Sequence, residues 1–473
     1  MLNEHTIHER KLDTMKRLKL LTILLFSILI FSVPECSARS TMNEKALGSP
    51  QETAVCAQGS GVASKYPFTL DQGGIKGLGS ERSIIVCISD IHLGADDEYA
   101  EIQKNRGPLT NFLRKLRLAP NVKELVIAGD LLDEWFVPVD RDTYRGKSQK
   151  EFVQSIAKNN KNVIDAFNDI IRDGKIKLTY VPGNHDLLIT AENVQSIMPG
   201  ISQARDVQGL GTYTPDNRPE IAIEHGHRYN FFCAPDPLSN SAIIPGAISP
   251  PGYFFTRIAT TSVMEGMPKQ GTSRPTIVPN SLGESQELTY IYWKTWNELM
   301  NELPIRQGFK EKIIKTNIDG FTETYAMSDL FPRQANVGAP IEMKLFNGIL
   351  DNWDERQTLN NVAVRIPVRK ALIGASSAAE TDEQANLQYF QNPDSDKRIV
   401  VFGHSHEPRI ITSDTHDGLK AIYANSGTWI DKNRCPMTFV VIVPRRHERH
   451  VGLYRYATDG SITEMDSAEL SGF

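Results

Sequence analysis

Five short apolar runs in this chain end on the same kinds of residue, and that repetition restricts the fold more than any other feature. "SIIVCISDIH" closes on Asp90 and His92, and "KELVIAGDLLD" on Asp130 and Asp133. "IKLTYVPGNHD" closes on Asn184, His185 and Asp186, "PEIAIEHGH" on His225 and His227, and "RIVVFGHSH" on His404 and His406. Runs this short and this rich in Ile and Val read as buried strands. Between the first three lie "LTNFLRKLRL" and "SQKEFVQSIAKNNKNVIDAFNDIIRDG", whose apolar residues recur with helical spacing. Strands alternating with helices define an α/β fold, and in such folds ligands gather at the carboxyl ends of the strands.

The residue types then point to a cation. Asp offers hard anionic oxygen, His a neutral nitrogen and Asn a neutral carbonyl oxygen, a mixture suited to Mn, Fe, Zn or Co. Asp90 and His92, like His404 and His406, stand two residues apart, which on a strand would aim both side chains to one face. Gly94, Gly129, Gly183, Gly226 and Gly403 supply turns that let backbone approach a small ion. Any one of these motifs alone is more often a capped strand end than a ligand pair; five in succession, all after strands, are a strong signal.

In their order and wording the five blocks resemble the calcineurin-like metallophosphoesterase superfamily. The resemblance covers Arg82 to Tyr229 and Lys397 onward, and "SDIHLG" and "GDLLDEW" are similar to the branch containing bacterial UDP-2,3-diacylglucosamine hydrolases. It implies a four-layer α/β/β/α sandwich carrying two divalent metal ions. One ion would be held by Asp90, His92 and His406, the other by Asn184, His225 and His404, with Asp130 bridging both. His185 would assist the leaving group, oriented by Asp186, and Asp133 would lie behind the ligands. A hydroxide between the ions would attack phosphorus, with no phosphoenzyme.

Other residues near the motifs are open to two readings. His227 is a further ligand or a polar neighbour, and Arg228 a substrate contact or a structural cation. Asn425, in "ANSGTW", either supports the pocket floor or reaches substrate. Asp96, Asp97 and Glu98 read as a solvated loop, and His447 and His450 as an exposed turn.

Outside the blocks, "MKRLK" from Met15 precedes the uncharged run Leu20 to Val33 and then "PECSARS". A basic stretch, a short apolar core and small residues form a secretory leader, expected over residues 1–38 with Met15 as a possible start. The run is too short for the roughly 20 residues of a membrane span, although an uncleaved anchor is the alternative. Residues 39–80, rich in Ser, Gly, Gln and Thr, read as a linker or arm. Of five cysteines, none forms a CxxC pair; Cys87 reads as a buried thiol.

Residues 230–396 break the pattern, and residues 81–473 are expected to form one domain interrupted by this largely helical cap. Its aromatics Tyr253, Phe254, Phe255, Tyr290, Tyr292, Trp293 and Trp296 either fill its core or line an apolar pocket. A net charge of −5 gives no field for nucleic acid or anionic lipid. The expected protein is an exported phosphohydrolase acting on a small-molecule or lipid-linked phosphate ester. The alternatives are a pyrophosphatase on nucleotide-sugar or lipid-linked diphosphates, and a non-catalytic binding scaffold.

Overall fold

The computed structural model describes residues 68–70, 74–75, 81–269, 271–375, 377–445 and 447–472. The expected leader and nearly all of the expected arm lie outside them.

The chain enters the fold at β1 (Ile84–Ile88), then α1 (Arg106–Arg117), β2 (Val122–Ala128), α2 (Gln149–Asn159), α3 (Lys161–Asp173) and β3 (Lys177–Val181). After α4 (Ala191–Ile197) come β4 (Ser202–Gln203), β5 (Thr212–Tyr213) and β6 (Ile221–Glu224). The insertion contributes α5 (Pro251–Met264), α6 (Glu284–Glu302), α7 (Trp353–Leu359), α8 (Val368–Gly374) and α9 (Ala378–Ala385). The domain resumes at β7 (Ile399–Phe402), β8 (Arg409–Asp414), β9 (Lys420–Asn425), β10 (Thr438–Pro444), β11 (Glu448–Tyr456) and β12 (Ile462–Ser471).

Two sheets result. One has seven strands in the order β12-β11-β10-β1-β2-β3-β4, the other five in the order β8-β9-β7-β6-β5. The strands that lead into the motifs are parallel to one another, β1 to β2, β2 to β3 and β6 to β7, and β7 is also parallel to β9. The period of two along a strand sorts side chains between layers. Ile85 and Cys87 of β1 face Ile221, Ile223, Ile399 and Val401 between the sheets. Ile84, Val86 and Ile88 face Leu109, Phe112, Leu113 and Leu116 of α1, whose helical spacing presents one apolar stripe. On the far side, Ala222, Val400 and Phe402 pack against the insertion. Helices, sheet, sheet and insertion make the four layers that the sequence pattern anticipates.

Four expectations require correction, two of them the helical readings of "GFKEKIIKTNI" (308–318) and "MKLFNGILDNWDERQTLNNV" (343–362). The helical pattern over 148–174 is two helices, because Asn160 leaves the helix and its Nδ2 donates to the Ile156 and Gly94 carbonyls at 2.8 and 2.9 Å. In the insertion, 308–318 contains a strand instead of a helix: Lys312–Lys315 pairs antiparallel with Thr324–Ala326, where β-branched Ile313 and Ile314 suit a pleat. Over 343–362 only Trp353–Leu359 is helical. His450, expected in an exposed turn, is buried within β11. The insertion is thus helical with two small ribbons, the second pairing Arg333–Gln334 with Ile341–Glu342.

The insertion is tied to the sheets by polar groups. Tyr229 and Tyr389 hydroxyls both donate to Glu224 Oε1, at 2.7 and 3.1 Å. Among the described residues, no helix is long and apolar enough to cross a membrane.

Candidate metal centre

The motif residues leave their strands before they reach the site. β1 ends at Ile88, β2 at Ala128 and β7 at Phe402. Beyond them Asp90, His92, Asp130, His404 and His406 all adopt left-handed backbone, with φ between 51 and 66°. The two-residue spacing therefore converges through strained loops and not through one face of a strand, which corrects the sequence argument. Such a conformation costs about 1–3 kcal/mol for a non-glycine residue and persists only where its surroundings hold it. Here the loops hold each other. Asp90 N–H donates to Gly129 O at 3.1 Å, and Ile91 and His92 N–H donate to Asp130 O at 2.9 Å. His404 N–H donates to the Asp90 carboxylate at 3.1 Å. Glycine is needed where these loops cross: a Cβ on Gly129 would strike His225, on Gly183 Asp130, and on Gly403 Asp90 and Ser89.

Two groups of donor atoms face one another as a result. Asp90, His92, Asp130 and His406 each bring one donor atom within 4.8 Å of the others. His406 Nε2 is 2.9 Å from Asp90 Oδ1, and His92 Nε2 is 3.1 Å from His406 Nε2. On the other side, His225 Nε2 lies 3.1 Å from Asn184 Oδ1 and 3.1 Å from Asp130 Oδ2. The His404 ring is centred 5.1 Å from that of His225. Asp130 Oδ2 stands between the groups, 3.6 Å from His92 Nε2. His225 Nδ1 donates to Ala128 O at 2.9 Å, so Nε2 is the nitrogen that faces inward.

This donor set fits divalent cations. The Asp130 Oδ2 atom is buried and accepts no well-formed hydrogen bond. Burial acts to raise Asp130, but His225, His185 and His92 together outweigh it and hold the carboxyl well below its usual range. Asp90 is pushed up by burial, with repulsion from Asp130 adding to it. Burial opposes protonation of His92 and His225, yet Glu101 and Asp133 lift His92 to about 10, and Asp130 and Asp90 lift His225 to about 9. His404, buried beside His225, is pushed down to about 3. Protonated imidazoles thus balance the buried carboxylates where cations would otherwise do so.

His185 is held differently from the expectation. Its Nδ1 is 2.9 Å from Asp133 Oδ1, an oxygen that also accepts the Trp135 and Phe136 backbone N–H groups at 2.9 and 2.8 Å. The Trp135 ring stacks on the imidazole at 5.0 Å. Asp186 instead accepts from the backbone N–H of Leu131, Leu132 and Gly183, so it fastens the β2 and β3 loops together. The difference is one of reach: the Asp186 carboxylate turns back to its own loop's N–H group, and Asp133 alone faces the ring.

The remaining candidates separate. Arg228 pairs with Glu224 at 2.9 Å and Asp206 at 2.7 Å and donates to Asn360 O, so it anchors the insertion and is no substrate contact. Asn425 Nδ2 donates to Gly403 O at 2.7 Å and Ser405 Oγ at 2.9 Å, which pins the His404 loop. His227 is buried with its ring 5.2 Å from His225, and neither of its nitrogens has a hydrogen-bond partner. Burial, reinforced by His225, pushes it well below the ordinary histidine value. Glu101 was not singled out from sequence. Its Oε2 lies 3.3 Å from His92 Nδ1, and with His92, Asp133 and His185 it forms a second cluster of potential ligand atoms. No local signal marks it, because a lone acid in a loop is ordinary until the fold buries it.

A pocket opens beside the cluster. Asn184, His185 and His404 lie on its wall next to Trp135 and Phe136, with Phe232, Phe255, Trp296 and Leu299 of the insertion opposite. The insertion's aromatics therefore divide. Tyr253, Phe254 and Tyr292 are fully buried in its core, while Phe255 and Trp296 belong to that core and also reach the pocket.

Residues 84–247 match the family model for calcineurin-like phosphoesterases. That match spans the first four of the five motif blocks, from β1 into the start of the insertion. Among solved structures the chain is similar to a dimetal phosphatase from Danio rerio, at 11% identity and a TM-score of 0.33, over 82% of this chain and 99% of that one. Vacuolar protein sorting 29 from Cryptosporidium parvum is 11% identical, with a TM-score of 0.28 over 82% of this chain and 98% of that one. The nuclease MPE of Pseudomonas putida is 18% identical, with a TM-score of 0.19 over 30% of this chain and 53% of that one. No curated protein matches the chain.

Proposed function

We propose that this protein is an exported, metal-dependent phosphohydrolase that cleaves phosphate esters. The observation that carries the reading is the meeting of Asp90, His92, Asp130 and His406 with Asn184, His225 and His404 around the buried Asp130 oxygen. Asp90, His92 and His406 would hold one divalent cation, Asn184, His225 and His404 a second, and Asp130 both. Bound there, two such ions supply Lewis acidity toward a phosphoryl oxygen and lower the pKa of water.

The chain's own groups do the rest. His185 stands beside the ligands, and although burial disfavours its charge, Asp133 and Asp130 raise its proton affinity. A protonated His185 donates to the leaving-group oxygen as the P–O bond breaks, and Asp133 steadies the imidazolium. Stacked Trp135 restricts the ring to one plane, and the apolar pocket wall limits water around the departing group. Export rests on the leader-like N-terminus and is supported by Cys435 being disulfide-bonded, while Cys87 and Cys233 are free.

The test is hydrolysis of 4-nitrophenyl phosphate by the full chain supplied with Mn²⁺. Turnover abolished by chelator and restored by metal is expected. Well-metallated protein that cleaves no monoester, diester or pyrophosphate would overturn the reading in favour of a binding scaffold.

A further inference from the structure

The pocket beside the cluster has a composition that selects among phosphate esters. Its far wall is Phe232, Phe255, Trp296 and Leu299, and its near wall Trp135 and Phe136. Ala259, Ala375 and Ala378 add side chains with no polar atom, and the neutral Asn230, Ser377 and Thr381 also line it. Among the described residues that line it, none is Lys or Arg, and the one carboxylate is Glu101. A second phosphate next to the scissile one needs cationic or N–H partners, and a buried anion without them is costly. An apolar group placed there gains by leaving water.

Resting on the phosphohydrolase reading, we infer that the insertion builds a leaving-group pocket for phosphate esters of apolar alcohols and rejects nucleoside diphosphates and nucleotide sugars. The position supports this. The pocket includes His185, the group placed to protonate a leaving oxygen, so the alcohol departs into it.

A series of n-alkyl phosphates from ethyl to octyl tests the inference, since the leaving alcohols are alike in basicity and differ only in apolar length. With the Mn²⁺-loaded full chain, kcat/KM is expected to rise by up to about fourfold per methylene until the pocket is filled, as burial of one methylene predicts. ADP and UDP-glucose should be cleaved more slowly than hexyl phosphate. Leu299→Ala, which removes wall, should flatten the rise. Thr256→Lys, on a half-buried pocket position of α5, should flatten it and improve ADP. A flat chain-length series, or ADP preferred to hexyl phosphate, overturns the pocket inference and leaves the hydrolase intact. Absence of hydrolysis across the whole series, 4-nitrophenyl phosphate included, overturns the hydrolase reading and this inference with it.

Discussion

His185 and Asp133 are joined through Nδ1 and Oδ1 at 2.9 Å, and the same carboxylate reaches His92 Nδ1 through its other oxygen at 3.2 Å. One side chain thus steadies both the proposed acid and a proposed ligand.

Asp133→Asn keeps an oxygen for the Trp135 and Phe136 N–H groups and removes the charge together with the acceptor facing His92. A loss of roughly 100-fold in kcat is expected, the size typical of a general acid. The loss should be larger for an alkyl phosphate than for 4-nitrophenyl phosphate, whose leaving group needs no proton. An equal loss for both substrates would show that Asp133 does not act through His185.

His404 and His406 are separated by one residue but face different partners. His406 lies against Asp90 and His92, and His404 stands by His225. His406→Ala should reduce metal content to about one ion by emptying the site of Asp90 and His92. His404→Ala should deplete the other ion. Metal analysis combined with spectroscopy of the Co²⁺-substituted variants distinguishes the two, and identical spectra from both variants would contradict the division.

Metal binding should depend steeply on pH. His92 and His225 are raised to about 10 and about 9, so both hold protons at neutral pH and a cation must displace them. Affinity for Mn²⁺ is expected to fall as pH falls, by up to about tenfold per pH unit for each proton released. The same shifts set stability without metal. Groups with raised folded-state pKa stabilise fully below their unfolded value, and that contribution disappears as pH rises through about 9 to 10. His404, lowered to about 3, works oppositely and weakens the fold as pH drops below the ordinary histidine value. Metal-free protein should therefore melt highest near neutral pH, and Mn²⁺ should raise Tm more at pH 9 than at pH 6. A Tm gain independent of pH would refute the proton exchange.

Glu134 offers a test away from the ligands. It is fully buried, burial raises it to about 8, and Tyr144 and Gln149 donate to its Oε1 at 2.8 and 3.1 Å. A raised carboxyl stabilises the fold below its unfolded value near 4.5, and the contribution is lost as pH climbs through about 8. Glu134→Gln keeps the Oε1 acceptor and cannot ionise. It should be near neutral at pH 5 and more stable than the parent at pH 9, on the order of a few kcal/mol. Denaturant unfolding at the two pH values checks this, and parallel losses in both proteins would exclude Glu134.

The α/β class and the run of strand ends bearing Asp, Asn and His were legible in the chain because both depend on short-range pattern, while the four-layer arrangement and the proposed ligand set came from the resemblance. Apolar alternation sets a strand, and a strand followed by Gly, Asp or His is visible within ten residues. What partners those residues take is a long-range matter. Asp186 follows His185 directly, yet the ring is held by Asp133, which belongs to another strand's loop. Glu101 carries no motif and becomes part of the site only because β1, β2 and the insertion close around it. Arg228 looked available to substrate, and folding brought it Glu224, Asp206 and Asn360 instead. The left-handed turns at Asp90, Asp130 and His404 follow the same rule. Local sequence disfavours them, and hydrogen bonds between loops remote in the chain, within one sheet for Asp90 and Asp130 and across to the other sheet for His404, hold them in place. Sequence by itself determined the strands, their order of chemistry and the ligand types. Tertiary structure decided which carboxylate faces which imidazole, because that choice is settled by burial and by distances between segments remote in the chain.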